Sequence, residues 1–326
     1  MAELTWERTG GLAVENARLN TARLGRGRSL AELRGERLGE GDSAIVIAAG
    51  PSIKRHHPAA LITAAEYPGT VIATDSSIFY CLRNGIVPDL VITVDPNAPR
   101  IMRWFGDPKL TPEAIEADDY FRRQDMDENF ANELATNREI IDLLDRNAKN
   151  MRIAVCTSTA PEVVERIIST GMEIYWWNPM WDDPDLEGGV TWKLQEMNGL
   201  PAVNAGGNVG TASWMMADAV LGKKHVALTG MDLSYYGGTP YLNTQYYREM
   251  VALVGEENLD SIFMRLHNPH TDTWFFTDPA YMWYRESFLE LAADADCKTY
   301  NCTGGGILFG ESIDFIPLGE FLETFA

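Results

Sequence analysis

Four groups of residues in this 326-residue chain are spaced as chemistry would require. In Ala49-Gly50-Pro51-Ser52 the glycine lets a phosphate approach the backbone, and the serine hydroxyl with free amides near a helix start can hold an anion. The segment lacks both GxGxxG and the P-loop lysine pattern, and an ordinary strand-ending turn explains it equally well. The run Asn204-Ala205-Gly206-Gly207-Asn208-Val209-Gly210-Thr211-Ala212-Ser213 opens a helix that continues to Leu221. Glycines, amides and hydroxyls crowd an end where the helix dipole favours an anion, with plain capping by Asn208 or Thr211 as the alternative. Asp75, Asp95 and Asp232 each follow a predicted strand; carboxylates so placed bind ribose hydroxyls or, with phosphate oxygens, hold Mg²⁺. A turn or cap is the structural role open to each. Finally, His267-Asn268-Pro269-His270-Thr271-Asp272 sets two imidazoles beside an acid in a predicted loop, as a general base with an orienting carboxylate needs; a plain surface loop is the other reading. His56 and His57, just after the Gly-Pro-Ser turn, could touch a phosphate or lie on a solvated helix start, and His225 falls inside a strand.

These residues need elements to position them. A continuous apolar run begins at Ser43 (SAIVIAAGPS), and similar strands are predicted in TVIATDSS (70–77), DLVITVDPN (89–97), MRIAVCTS (151–158), EIYWW (173–177), HVALTGMD (225–232) and near Lys298 to Asn301. Helical patterns lie between them at 77–85, 161–170 and from Asn208, and later at 278–295 and after Pro317. Strands alternating with helices imply βαβ units. The expected class is α/β, a Rossmann-like, mostly parallel sheet with helices on both faces, which binds ligands outside the carboxyl ends of its strands. Every candidate strand end carries small, polar or acidic residues. Residues 1–42 read as a helical leader and linker, 43–250 as the nucleotide-binding domain, and 251–326 as a segment completing that domain. Within it, 107–148 reads as an acidic helical insertion and 178–203 as a loop-like lid. Trp176, Trp177, Trp181 and Trp192 flank that lid and could stack on a base or sugar or simply fill the core; YYGGTPYLNTQYY after Asp232 reads as loop.

Composition narrows the function class. Lys and Arg number 27 against 47 Asp and Glu, a formal charge of −20, whereas a duplex nucleic-acid binder presents a basic face. Much of the acid lies in the insertion, including Asp125, Asp127 and Glu128. A hydrophobic share of 45% with 10% aromatics excludes a disordered acidic tail. Cys81, Cys156, Cys297 and Cys302 form no CxxC pair, so reduced thiols in the cytoplasm are expected. No run reaches the ~18 apolar residues of a membrane span, and no signal-peptide h-region opens the chain, so the Asn301-Cys302-Thr303 sequon reads as a chance match. A homo-oligomer is possible.

Taken together, AIVIAAGPSI, the strand end ATDSS, LVITVDP, the helix start GGNVGTAS followed by VALTGMDLSY, and the late TYNCTGGGILFG resemble a family (domain of unknown function 115). It includes bacterial motility-associated factors and archaeal 6-hydroxymethylpterin diphosphokinases. The resemblance runs from about Ser43 to the C-terminus, with the helical insertion least matched, and the core is similar to that of bacterial sialyltransferases. Motility-associated factors are implicated in attaching nonulosonic acids to flagellin from CMP-activated sugars. The resemblance implies that Gly50, Pro51 and Ser52 contact the nucleotide phosphate or ribose. Asn208, Gly210, Thr211 and Ser213 would line the second half of that site, Asp75, Ser76 and Asp95 would complete it, and Asp232 would stand at the nucleotide edge. His267 or His270 falls where the sialyltransferase catalytic histidine is expected, followed by Thr271-Asp272. The sialyltransferases carry Asn before Gly-Pro-Ser and at the next two strand ends, where this chain has Ala49, Asp75 and Asp95. The diphosphokinases carry a Thr-Asp-Leu-Asp-type cluster, where this chain has Thr93-Val94-Asp95-Pro96.

The leading expectation is a glycosyltransferase-like enzyme. It would move a sugar from a nucleotide donor, CMP-nonulosonate, to a hydroxyl of a protein or glycan, with His267 or His270 as base, Asp272 beside it, and no required cofactor. The alternative is Mg²⁺-dependent diphosphate transfer from ATP to a pterin-like alcohol, with Asp75, Asp95 and Asp232 at the metal. A nucleotide- or sugar-binding protein without activity is the third.

Overall fold

The computed structural model describes residues 9–123 and 132–326; Asp125, Asp127 and Glu128 of the acidic insertion lie outside the described residues. The apolar runs pair side by side as β1 Arg28–Ser29, β2 Ser43–Ile47, β3 Thr70–Thr74, β4 Leu90–Thr93, β5 Arg152–Cys156, β6 Glu173–Pro179, β7 Ala202–Val203 and β8 His225–Thr229. Beyond a smaller sheet they are joined by β12 Lys298–Asn301 and β13 Asp314–Phe315. The spatial order is β1-β6-β5-β4-β3-β2-β8-β12-β13, with β7 beside β6, and every pair is parallel. The protein is an α/β fold on a large all-parallel sheet, covered by helices and preceded by an N-terminal helix. From β2 the chain builds outward to β6 and then returns to place β8 on the other side of β2. The strand order therefore reverses between β2 and β8.

Burial on both faces explains why these strands read as unbroken apolar runs. Val46, Ile72, Ile92 and Trp177 point to a core with Trp214 and Phe288. On the opposite face, Val91, Ile153, Val155 and Trp176 pack on Val163, Val164 and Ile167 of the helix Pro161–Thr170. Trp176 and Trp177 are thus core residues of opposite faces, 1% and 0% exposed. Period-two alternation places them there, and neither is open to stack on a ligand.

Several segments differ from their sequence reading. The stretch expected to be a loop around His267 is an antiparallel hairpin, β10 Met264–Asn268 against β11 Thr273–Thr277, joined by β9 Tyr235–Tyr236. His267 lies opposite Trp274, and Asn268 opposite Thr273. The strands alternate only briefly around Pro269 and the left-handed Asp272 (φ 50°), so the turn signal masks them. The 178–203 segment contains the helix Val190–Asn198, whose first amides, Val190 N–H and Thr191 N–H, donate to Asp182 at 2.6 and 2.8 Å. In the insertion, a buried Arg103–Glu133 pair at 2.6 Å ties the helix Ala98–Trp104 to the helix Glu133–Asn147.

The leader is integral to the sheet's carboxyl edge. β1 adds an outer strand to β6. In the helix Gly11–Asn20, Asn16 Nδ2 donates to the Ser158 carbonyl at 2.9 Å, and Asn20 Nδ2 donates to the Thr157 and Thr159 carbonyls at 2.9 and 2.7 Å. All three carbonyls follow β5, so these amides satisfy strand-end groups that the helix itself shields from water. Asn20→Ala is expected to leave two buried carbonyls unpaired and to cost about 1–3 kcal/mol. Chemical denaturation and faster proteolysis within residues 11–20 check it; an unchanged transition midpoint would show that these bonds do not anchor the helix.

Candidate functional site

The reversal of strand order creates the site. Beyond the paired strands, Ala48 N–H donates to the Thr229 carbonyl and Gly50 N–H to the Gly230 carbonyl, each at 2.9 Å, so the two chains stay in contact past the sheet edge. Into this junction projects the carboxylate of Asp232, only 1% exposed. Ser52 Oγ donates to Asp232 Oδ2 at 2.7 Å, and Ser52 N–H reaches the same carboxylate at 3.2 and 3.3 Å. A Cβ at position 50 would sit 2.1 Å from Asp232 Oδ2 and 2.4 Å from the Gly230 oxygen. Glycine at position 50 is therefore demanded by the approach of the two strand ends. Burial pushes the Asp232 carboxyl up to about 7, against the opposing effects of the Ser52 bonds and of Arg55.

At the next strand ends, Asp75 is 3% exposed and doubly bonded: Thr93 Oγ1 donates to it at 2.8 Å and Ser76 N–H at 2.7 Å. Burial pushes this carboxyl up to about 7 as well, with a smaller contribution from the charge of Asp95. Asp95 itself is water-accessible, yet it lies at the floor of a concavity with protein all round, and that desolvation raises its carboxyl despite the Asn97 N–H donated at 2.7 Å.

A cavity of about 1410 Å³ opens over these strand ends, and Gly50, Pro51, Asp75, Ser76, Asp95, Asn208, Gly210 and Asp232 all line it. The sequence thus identified residues that the fold gathers, but several differ in what they offer. Ser52 lies behind the junction, bonded to Asp232 and 1% exposed. The amides of the Gly-Pro-Ser turn expected to receive a phosphate are already paired, Gly50 N–H with Gly230 and Ser52 N–H with Asp232, and Pro51 has none. At the helix Val209–Met215, Asn208 Oδ1 accepts the Thr211 N–H at 2.9 Å as an ordinary cap. Thr211 and Ser213 are fully buried and outside the cavity lining, and Ser213 Oγ donates back to the Val209 carbonyl at 2.8 Å.

Two other expectations are displaced. Among the described residues, no three His, Cys, Asp or Glu side chains come together as a metal-binding group, so Asp75, Asp95 and Asp232 do not form one ligand set. Asp75, at the β3 end, is raised in part by the charge of Asp95 at the β4 end, whereas Asp232 is turned to Ser52 at the β2–β8 junction. His267, His270 and Asp272 lie outside the lining of the cleft. There His267 Nε2 contacts Asp272 Oδ1 at 2.9 Å, and the His270 ring stacks on Phe315 with centroids 4.7 Å apart. The pairing of His267 with an acid is real; its register on a hairpin carries it away from the strand ends.

An aromatic part of the cleft lining escaped the sequence reading. Tyr281, Trp283 and Tyr284, on the helix Pro279–Ala293, line it beside Gln245, Tyr246 and Glu249, with Tyr281 OH donating to Gln245 Oε1 at 2.6 Å and the Tyr246 and Tyr284 hydroxyls 2.9 Å apart. Asp278 caps that helix, donated to by Ala280 N–H and Tyr281 N–H at 2.9 Å each and by Tyr235 OH at 3.0 Å, and burial pushes it up to about 6. The i, i+3 spacing of Tyr281 and Tyr284 was the available signal, indistinguishable in sequence from a core stripe. The four cysteines are free and buried, and burial pushes the thiols of Cys81, Cys156, Cys297 and Cys302 up to about 12, leaving none as a nucleophile at neutral pH. Among the described residues, no helix is long and apolar enough to cross a membrane.

The raised carboxyl of Asp232 has a consequence for stability. Its pKa moves from 3.8 unfolded to about 7 folded, so between those values the native state binds the extra proton. This group's contribution is complete below about pH 4 and is lost as pH rises through 7. Asp232→Asn is therefore expected to gain stability relative to the parent by about 2–3 kcal/mol between pH 5 and pH 8. Parallel thermal melts across that range check it, and a difference that stays flat with pH would contradict a buried, proton-binding carboxyl.

Residues 15–107 match the family model described as 6-hydroxymethylpterin diphosphokinase MptE-like. Among curated proteins, none matches the chain in sequence. Among solved structures, the chain is similar to the MAf glycosyltransferase from Magnetospirillum magneticum AMB-1, with a TM-score of 0.50 and 13% identity. That similarity covers 88% of this chain but only 37% of the other, so the present chain corresponds to about a third of that protein. The matched family segment spans β2, β3 and β4 and thus includes Gly50, Ser52, Asp75 and Asp95. The resemblance read in the sequence is found in both respects: an MptE-like stretch over residues 15–107, set in a fold similar to that of MAf glycosyltransferase.

Proposed function

We propose that this protein is a glycosyltransferase-like enzyme that binds a nucleotide-activated sugar, CMP-nonulosonate, in the cleft over β2, β3, β4 and β8 and transfers the sugar to an acceptor hydroxyl. The observation that carries this reading is the position of the 1410 Å³ cavity: it lies outside the carboxyl ends of a parallel sheet, at the reversal of strand order, where open α/β sheets bind their ligands. The fold similarity to a glycosyltransferase and the MptE-like match support a transferase. A CMP-sugar presents a single phosphate, which suits a cleft whose basic lining side chain among the described residues is Arg100. Asp75 and Asp232, with carboxyls near 7, are partly protonated at neutral pH, which reduces the negative charge that a phosphate meets at the strand ends.

The general base falls to Asp95. Both oxygens of Asp75 have donors and Asp232 is held by Ser52, whereas Asp95 is accessible from the cleft and its carboxyl is raised toward the range in which a base is effective. A second reading rests on the nearness of Asp95 to Asp75, whose carboxyl its charge raises, both within the MptE-like segment. Two carboxylates with phosphate oxygens suit Mg²⁺, and diphosphate transfer from ATP would use that pair.

A thermal-shift panel of CMP and ATP, each with and without Mg²⁺, separates the two. The expected result is a CMP-dependent rise in Tm by linkage that does not require Mg²⁺. An ATP shift that needs Mg²⁺ and vanishes in Asp75→Asn would favour diphosphate transfer instead. In a transfer assay, Asp95→Asn is expected to lower the rate by about 10²–10⁴ with the CMP shift retained, while His267→Ala leaves both unchanged. A large rate loss in His267→Ala would return the base to the hairpin.

A further inference from the structure

The cavity is larger than one ligand requires. Small-molecule sites occupy roughly 300–1,000 Å³, and this cleft has about 1410 Å³. Its lining also differs in chemistry from part to part: small residues and carboxyls at the strand ends, and aromatic side chains from the helix Pro279–Ala293 and Tyr246. On that aromatic wall the hydroxyls of Tyr246 and Tyr284 meet at 2.9 Å. Whichever donates, the pair keeps one O–H donor and acceptor lone pairs toward a third partner. A sugar hydroxyl, donor and acceptor at once, matches both. Beside them, Gln245 accepts from Tyr281 OH at 2.6 Å through Oε1, which leaves its amide N–H groups to donate. The Trp283 and Tyr284 rings stand together beside Gly207, centroids 5.4 Å apart, and both line the cleft; aromatic rings bordering a cleft can stack on the C–H face of a pyranose. Tyr284 is within electrostatic reach of Asp95.

Resting on the transferase reading above, we infer that the wall formed by Gln245, Tyr246, Trp283 and Tyr284 is an acceptor subsite for an uncharged carbohydrate, in the cavity that Asp95 also lines. Charge excludes the other sign: Glu249, Glu290 and Asp294 share the lining with this wall and repel an anionic acceptor, while as hydrogen-bond acceptors they receive sugar hydroxyls. The donor occupies the strand-end half, so both substrates are present together and the kinetics are sequential.

The test is saturation-transfer NMR with glucose, galactose, N-acetylglucosamine and lactose as neutral probes and glucuronate, which is not a nonulosonate, as the anionic one, with the CMP thermal shift measured on the same samples. At least one neutral sugar is expected to bind, glucuronate more weakly than it, and a Tyr246→Phe/Tyr284→Phe double variant is expected to weaken the neutral sugar about tenfold while leaving the CMP shift and Tm intact. Because the variant keeps both rings, loss of fold is not expected; Tyr246→Phe alone, expected to weaken sugar binding in the same direction, serves if the double variant melts early. The subsite is overturned if no neutral sugar binds, if the anionic sugar binds as well, or if the folded variant binds unchanged. A missing CMP shift with intact sugar binding would instead overturn the donor assignment and leave the subsite standing.

Discussion

The bond between Ser52 and Asp232 is the constraint on which the site depends. It joins the first residues after β2 to the first residues after β8, two strands adjacent in space but about 180 residues apart in the chain. Every other strand of the large sheet is placed outward from this pair. Two parallel strands that diverge to opposite sides leave a crevice between the loops that follow them. The carboxylate at its base must be desolvated to hold the loops together, which explains both the glycine at position 50 and the raised carboxyl of Asp232. One geometric requirement thus sets the sequence of the turn, the shape of the cleft and the protonation of its floor.

A second theme is that polar groups at the strand ends are largely satisfied by one another. Asp75 takes Thr93 and Ser76, Asn208 takes Thr211, and the Gly-Pro-Ser amides take Gly230 and Asp232. Buried polar groups left without partners would be costly, so such pairing stabilises the strand ends around the cleft. Asp95, Arg100, the aromatic wall and the acids beside it line the same cleft. The net charge of −20 takes on local meaning there, because carboxyls that are protonated near neutrality moderate an acidic lining that would otherwise reject a phosphate outright.

Much of this was legible in the chain. The runs SAIVI, TVIAT, LVIT, RIAVC and HVALT are apolar without alternation because both faces are covered, and they were readable as parallel strands for that reason. The small and acidic residues after them were readable as cleft residues, since in this fold class strand ends are where function collects. The hairpin carrying His267 was not, because its strands are short and interrupted by Asn-Pro-His. Nor was the aromatic wall, since Tyr281 and Tyr284 carry the same helical spacing whether they face a core or a cavity.

The sequence by itself determined the fold class, the succession of the central parallel strands and the identity of the residues at their ends, because hydrophobic periodicity and turn chemistry are local properties. The tertiary structure alone decided which of those residues face a ligand. Asp75, Asp95 and Asp232 are alike in sequence context, yet contacts from distant segments make one a buried partner of Thr93, one an open carboxylate, and one the clasp between two strands. Whether a polar side chain is free or already paired depends on what packs against it across the fold, and no local pattern encodes that.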